Sequence, residues 1–179
     1  RSSNVGSVKI LELVGYNSQK KLFNLVGLSD KLKVKGLNIV SNKLPLNWDS
    51  HAKFISYGYG VSVSPLSLVT AFSSLVNGGY NIKPVLVNSD RNHTRERVLS
   101  NKTSDRINDL IQRIVNEGTG KRAFVDGVSV GGKTGTSKKV EMGNYSEQKV
   151  VTSFIGVFPA NSPEYLTFVL FDEPKKNIT

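Results

Sequence analysis

The sequence predicts an α+β fold in which helices come first and a largely antiparallel sheet follows. Apolar residues recur every three to four positions in separate stretches of the first two thirds of the chain. The last third changes to short β-branched and aromatic runs separated by turn residues. The connections between those runs are short enough for hairpins, and helices followed by neighbouring strands indicate α+β.

The elements follow in chain order. Ser3 and Asn4 precede Val5, Val8, Leu11 and Leu13-Val14, an apolar spacing with capping side chains in front of it, so Ser2 to Asn4 is expected to turn into a helix. Gly15 to Ser18 is read as a break, and Lys21 to Val26 as a second short helix ending on Gly27. Gly36 to Trp48 contains Pro45 and has no clear period, which predicts a loop with short strands; Trp48 is a core candidate. Ser64-Pro65 caps and starts a helix carrying Leu66, Leu68-Val69, Phe72 and Leu75-Val76, stopped by Gly78-Gly79. Another begins near Thr103 or Ser104 and carries Ile107, Leu110-Ile111 and Ile114-Val115 before Gly118. Three consecutive strands are read at Val128 to Val130, Val150 to Phe158 and Tyr165 to Phe171.

Composition excludes several classes of function. The chain has 179 residues, 38% hydrophobic and 21% charged, an ordinary balance for roughly one globular domain. No apolar run approaches the roughly 18 residues that span a bilayer, and Arg1 to Gly6 has no signal-peptide hydrophobic region, so any membrane anchor is expected outside this chain. The absence of cysteine excludes disulfides, thiolate metal sites and a cysteine nucleophile. His51 and His93 are far apart and in no metal-ligand spacing, so no metal is expected; no other cofactor is expected either. The net charge of +10 comes from scattered lysines without interleaved aromatics; they read as solvated faces, not as a nucleic-acid surface.

One motif points elsewhere. Gly127-Val128-Ser129-Val130-Gly131-Gly132-Lys133-Thr134 fits the letters of a phosphate-binding P-loop. That loop needs an apolar strand before its first glycine and a helix directly after Lys-Thr. Here Lys121 to Asp126 precedes it and a polar stretch follows, so an NTPase is the remote alternative.

Ser2-Ser3-Asn4 fits S-x-N and Lys133-Thr134-Gly135 fits K-T-G, two of the three signatures of penicillin-binding proteins and serine β-lactamases. Their order and the following Thr136 make the pair specific. The stretches Ser56 to Leu66, Asn77-Gly78-Gly79 and Thr152 to Ala160 also resemble segments of class B penicillin-binding transpeptidases, so the resemblance covers nearly the whole chain. Lys133 to Val140 is more similar to the division-specific members than to the elongation-specific ones.

The resemblance implies a serine acyl-transfer enzyme that cross-links peptidoglycan stem peptides ending in D-Ala-D-Ala and is inhibited by β-lactams. It implies a proton relay for Ser2, and for Asn4 a hold on the catalytic lysine and the donor peptide. Lys133 would supply positive charge, Thr134 and Thr136 would hydrogen-bond the substrate carboxylate, and the Thr136 N–H would serve as an oxyanion donor. Gly135 would let the substrate backbone lie against the strand edge. Divisome or elongasome proteins are the implied partners, and the location is the periplasmic face of the cytoplasmic membrane. The competing readings are a helix cap for Ser2 to Asn4, an exposed strand lysine for Lys133, and a bulge or bend for Gly131, Gly132 and Gly135. Tyr57 and Tyr59 read as packing or loop-shaping residues.

The family's nucleophile lies in an S-x-x-K segment upstream of S-x-N. The strings Ser18-Gln19-Lys20-Lys21 and Ser50-His51-Ala52-Lys53 come after Ser2 to Asn4, the wrong order, and neither reads as the start of an apolar helix that could bury the pair. No nucleophile is therefore assigned in this chain. The family also continues past a strand like Tyr165 to Phe171 into a packing helix. Residues 1–179 are expected to be the C-terminal part of one transpeptidase domain, inactive alone and prone to self-association. A transpeptidase-like pseudoenzyme or binding scaffold is the alternative.

Overall fold

The computed structural model describes residues 2–87 and 95–175. Its contacts divide it into two units, residues 2–107 and the chain from Asn108 onward. The prediction of helices followed by antiparallel strands holds. His93 lies outside the described residues.

In the N-terminal unit, helix α1 (Asn4–Val14) is followed almost at once by α2 (Tyr16–Leu25), because Gly15 at φ 84° turns the chain in one residue. The expected break over Gly15 to Ser18 therefore shrinks to that glycine. Gly27 ends α2 as expected: its N–H bonds Asn24 O, and the N–H of Leu28 reaches back to Phe23 O at 2.9 Å. A helix that was not expected, α3 (Trp48–Ile55), starts on Asn47, whose side chain accepts from the Ser50 N–H. Its buried face, Trp48, Ala52 and Ile55, packs with Leu11 of α1. Trp48 is a core residue as expected. Its ring meets Phe23 edge-on at 5.0 Å and its Nε1 donates to Gln19 Oε1. The expected short strands before it reduce to isolated bridges, Val34 with Leu37 and Lys43 with Ser62. Tyr57 and Tyr59 hold ring contacts in the turn after α3, in keeping with a loop-shaping role.

Helix α4 (Pro65–Val76) has the predicted cap, the Ser64 side chain accepting from Ser67 N–H, with Pro65 in its first turn. Ala71 joins Val26 and Leu28 in a second core cluster. Beyond it, Asn77 clamps Tyr80 through both backbone groups, at 2.8 Å each. A Cβ at Gly79 would lie 2.2 Å from Leu99 O, so only glycine fits there. The short strands β1 (Tyr80–Asn81) and β2 (Glu96–Arg97) pair antiparallel, with Arg97 over the Tyr80 ring. Helix α5 (Asn101–Glu117) begins slightly before the predicted start, with Ser100 accepting from Thr103 N–H.

In the C-terminal unit, β3 (Gly131–Glu141), β4 (Asn144–Phe158) and β5 (Tyr165–Asp172) form an antiparallel sheet in the order β3-β4-β5. The first strand begins later than predicted: Val128 sits in a tight turn, bridged to Val125 around Gly127, and the strand starts at Gly131. It then continues through Glu141, where a P-loop would need a helix. Gly131 and Gly132 are not bulge residues, because the register with β4 is unbroken from Gly131 to Lys138. They are small for packing. A Cβ at Gly131 would lie 2.8 Å from the Ile111 side chain, and one at Gly132 would lie 2.4 Å from the Phe154 ring. Val157, opposite Gly131, is fully buried.

Candidate active site

The S-x-N residues open α1. Ser3 is the cap: its Oγ accepts from Gly6 N–H at 3.1 Å, and its carbonyl takes the N–H and hydroxyl of Ser7. Capping thus belongs to Ser3, while the exposed Ser2 precedes the cap and the exposed Asn4 is the first helical residue.

The K-T-G-T residues lie along β3, which has no strand beyond it among the described residues. Lys133, opposite Ile155, is half-buried, and that burial lowers its pKa from the ordinary lysine value because desolvation disfavours the ammonium form. Its Nζ donates to Thr134 O at 2.6 Å. Successive strand side chains face opposite sides, so Lys133 and Gly135 share one face and Thr134 and Thr136 the other. A Cβ at Gly135 would meet only the Ser153 Oγ, at 2.7 Å. The structure thus brings Lys133, Thr134, Gly135 and Thr136 onto one strand edge, and places Ser2 and Asn4 in the other unit.

Thr119 joins this strand without having been anticipated. The Thr134 hydroxyl donates to Thr119 Oγ1 at 3.2 Å. Thr119 is held there by the turn that ends α5, in which the N–H groups of Gly118 and Gly120 both reach Ile114 O. A Cβ at Gly118 would come within 2.9 Å of that oxygen. The signal available was the Gly118-Thr119-Gly120 triplet after a helix.

Neither in-chain S-x-x-K string forms a nucleophile pair. Ser50 and Lys53 lie on α3, but both are exposed, in keeping with the reading that no apolar helix buries the pair. Ser50 Oγ bonds Asn47 O, and Lys53 donates to Glu12 at 2.8 Å. That hydrogen bond raises the Lys53 pKa, the opposite of what a general base needs. Ser18 and Lys21 are exposed on α2. Among the described residues there is no cluster of potential metal ligands and no helix long and apolar enough to cross a membrane.

Comparison with known proteins finds relatives over most of this chain. Stage V sporulation protein D of Bacillus subtilis is 39% identical over 135 residues, 69% of this chain and 21% of its own length. A probable peptidoglycan D,D-transpeptidase FtsI of Caulobacter vibrioides is 34% identical over 189 residues, 98% of this chain and 32% of its own. The chain thus spans a third or less of these relatives. Among solved structures, the apo transpeptidase domain of Burkholderia pseudomallei penicillin-binding protein 3 superimposes with a TM-score of 0.86 at 29% identity, over 96% of this chain and 54% of that one. Penicillin-binding protein 3 of Mycobacterium tuberculosis, solved with aztreonam, shares the fold at a TM-score of 0.88 and 24% identity. The family described as the penicillin binding protein transpeptidase domain matches residues 1–179, and the chain belongs to that family.

Proposed function

We propose that residues 1–179 are part of one D,D-transpeptidase domain, and that the whole protein cross-links peptidoglycan through a serine supplied by residues outside them. The observation that carries this reading is the Lys133-Thr134-Gly135-Thr136 run along an edge strand, with Lys133 half-buried beside two hydroxyl residues. In the proposed reaction the serine oxygen attacks the penultimate D-alanine carbonyl of a donor stem, the terminal D-alanine leaves with the transferred proton, and an acceptor amine then displaces the serine ester. Lys133 and the Thr136 hydroxyl hold the terminal carboxylate together with Thr134, whose proton turns from Thr119 to the carboxylate as Thr119 donates to Thr134 Oγ1, and the Thr136 N–H faces the developing oxyanion. Gly135 leaves room for the donor backbone. Ser2 passes the proton between the base and the leaving amine, and Asn4 holds the base and a donor amide. The same carboxylate grip serves β-lactams. The protein acts on the periplasmic side, held by a membrane anchor outside residues 1–179, with division proteins as partners.

The test is a fluorescent penicillin followed by mass mapping. The whole protein is expected to carry one adduct on a serine outside residues 1–179, and the 179-residue chain alone none. An adduct on any serine within 1–179 would refute the placement of the nucleophile. No adduct on the whole protein would favour a pseudoenzyme scaffold.

A further inference from the structure

Within the N-terminal unit lies a cavity of about 180 Å³ bordered by the end of α2, one side of α4 and the segment after β1. It is smaller than the roughly 300 Å³ at which drug-sized pockets begin, so it suits a compact ligand. Its chemistry is one-sided. Lys31, Lys33 and Lys83 line it against a single carboxylate, Asp30. Among the described residues, none of these three ammonium groups is in an ion pair.

The inner wall adds polar groups that are buried. Ser67 is only 4% exposed and Thr70 9%, and both line the cavity from α4. Thr70 donates its hydroxyl to Leu66 O within its own helix. Ser67 is different: Ser64 Oγ donates to Ser67 Oγ at 2.7 Å, which leaves the Ser67 proton to serve another acceptor. Asn81 lines the cavity too, with its Nδ2 close to Gly27, whose φ of 76° turns the chain out of α2. The cavity therefore offers cations and neutral donors, with one carboxylate acceptor at Asp30.

We propose that this cavity binds a small phosphate ester that also bears a hydroxyl group. The charges balance, because a phosphate dianion added to the Asp30 carboxylate offsets the three lysines. Ser67 and Asn81 donate to phosphate oxygens, and Asp30 accepts from the ligand hydroxyl. A single carboxylate would leave the site cationic, and a nucleotide would not fit the volume.

Glycerol 3-phosphate is the probe, titrated into the intact protein and followed by calorimetry and by the Asn81 side-chain amide signals. Saturable binding that weakens with salt is expected, with glycerol alone giving none. The triple variant K31A/K33A/K83A should raise the Kd at least tenfold, while K20A/K21A, which removes two exposed lysines of α2, should leave it unchanged. S67A should weaken binding with the lysines intact. Phosphatidylcholine vesicles carrying lysophosphatidic acid, a phosphate monoester that keeps one hydroxyl, separate the sources: binding to these vesicles through the same three lysines identifies a lipid headgroup, and binding of the soluble ester only identifies a free metabolite. No saturable binding of either, or equal losses in the α2 control, would overturn the proposal.

Discussion

Lys133 carries an electrostatic cost that its neighbours do not remove, since half-burial pulls its pKa below the ordinary lysine value. A lysine depressed in the folded state binds fewer protons than in the unfolded chain just below 10.5. Its burial therefore opposes folding at neutral pH, and this cost is relieved as pH rises through its folded value toward 10.5. Lys133→Met is accordingly expected to leave thermal stability unchanged or raised while slowing β-lactam acylation of the whole protein by roughly 10²–10³-fold, the scale of losing one transition-state contact. The alkaline limb of the wild-type acylation profile should fall below the ordinary lysine range; a limb at or above it would contradict the role given to this ammonium. Thr119 is the second residue of consequence, because its Oγ1 fixes the Thr134 hydroxyl. Thr119→Val should slow acylation by roughly fivefold, the ~1 kcal/mol of one hydrogen bond, with Thr119→Ser restoring it. Loss in both variants alike, or in neither, would remove Thr119 from the site.

The far end of the β3–β4 hairpin is an element held by charge. Lys139 bonds Glu173 at 2.7 Å and Asp172 at 2.9 Å, and Lys149 bonds Glu141 across the hairpin. The hydrogen bond to Glu173, then that to Asp172, raises Lys139; the bond to Glu141 raises Lys149 and lowers Glu141. The lysine contributions are complete below 10.5 and are lost as pH climbs through their raised values. The Glu141 contribution is present above 4.5 and is lost as pH falls through its lowered value. The arm is therefore tightest between those limits, and its exposed pairs are open to salt. Lys139→Met should speed proteolysis at the Met142-Gly143 turn, within roughly fivefold, and high salt should erase the difference; a difference that persists in high salt would show that the contact is not ionic. Local pattern explains what could be read beforehand at this scale. α4 was legible because Ser64-Pro65 and Gly78-Gly79 bracket an apolar period, and β5 and β4 from Val150 onward because their β-branched and aromatic runs are continuous, whereas the polar start of β4, Asn144 to Lys149, was missed. α3 was missed although Trp48, Ala52 and Ile55 are spaced as one helix face, since eight residues leave little periodicity beside Pro45. The polar end of β3 was missed because Ser137 to Glu141 is strand by pairing with β4, not by its own composition. Thr119 meets Thr134 only through the glycine turn after α5, a contact that no spacing along the chain announces.

At the scale of the whole molecule, the sheet of the C-terminal unit has one face that the described residues of that unit cover and one that they leave open. Gly131, Val157 and Ile155 lie on the covered face, with Ile111 of α5 against Gly131. Register places Phe154, Phe158, Tyr165, Val169 and Phe171 on the other, where Phe158 and Tyr165 stack at 5.3 Å and Phe171 is 52% exposed. Neither β3 nor β5 has a further strand beyond it among the described residues, so apolar surface and open backbone edges occur together. That combination favours pairing with a second copy. The 179-residue chain is expected to self-associate at micromolar to millimolar concentrations, and sedimentation should show oligomers that grow with loading. Phe171→Lys together with Val169→Lys places charge on that face and should shift the chain toward monomer with little change in melting temperature, since both residues are already about half exposed. A wild-type chain that stays monomeric throughout that range, or a double variant that associates as strongly, would show that this face does not drive assembly.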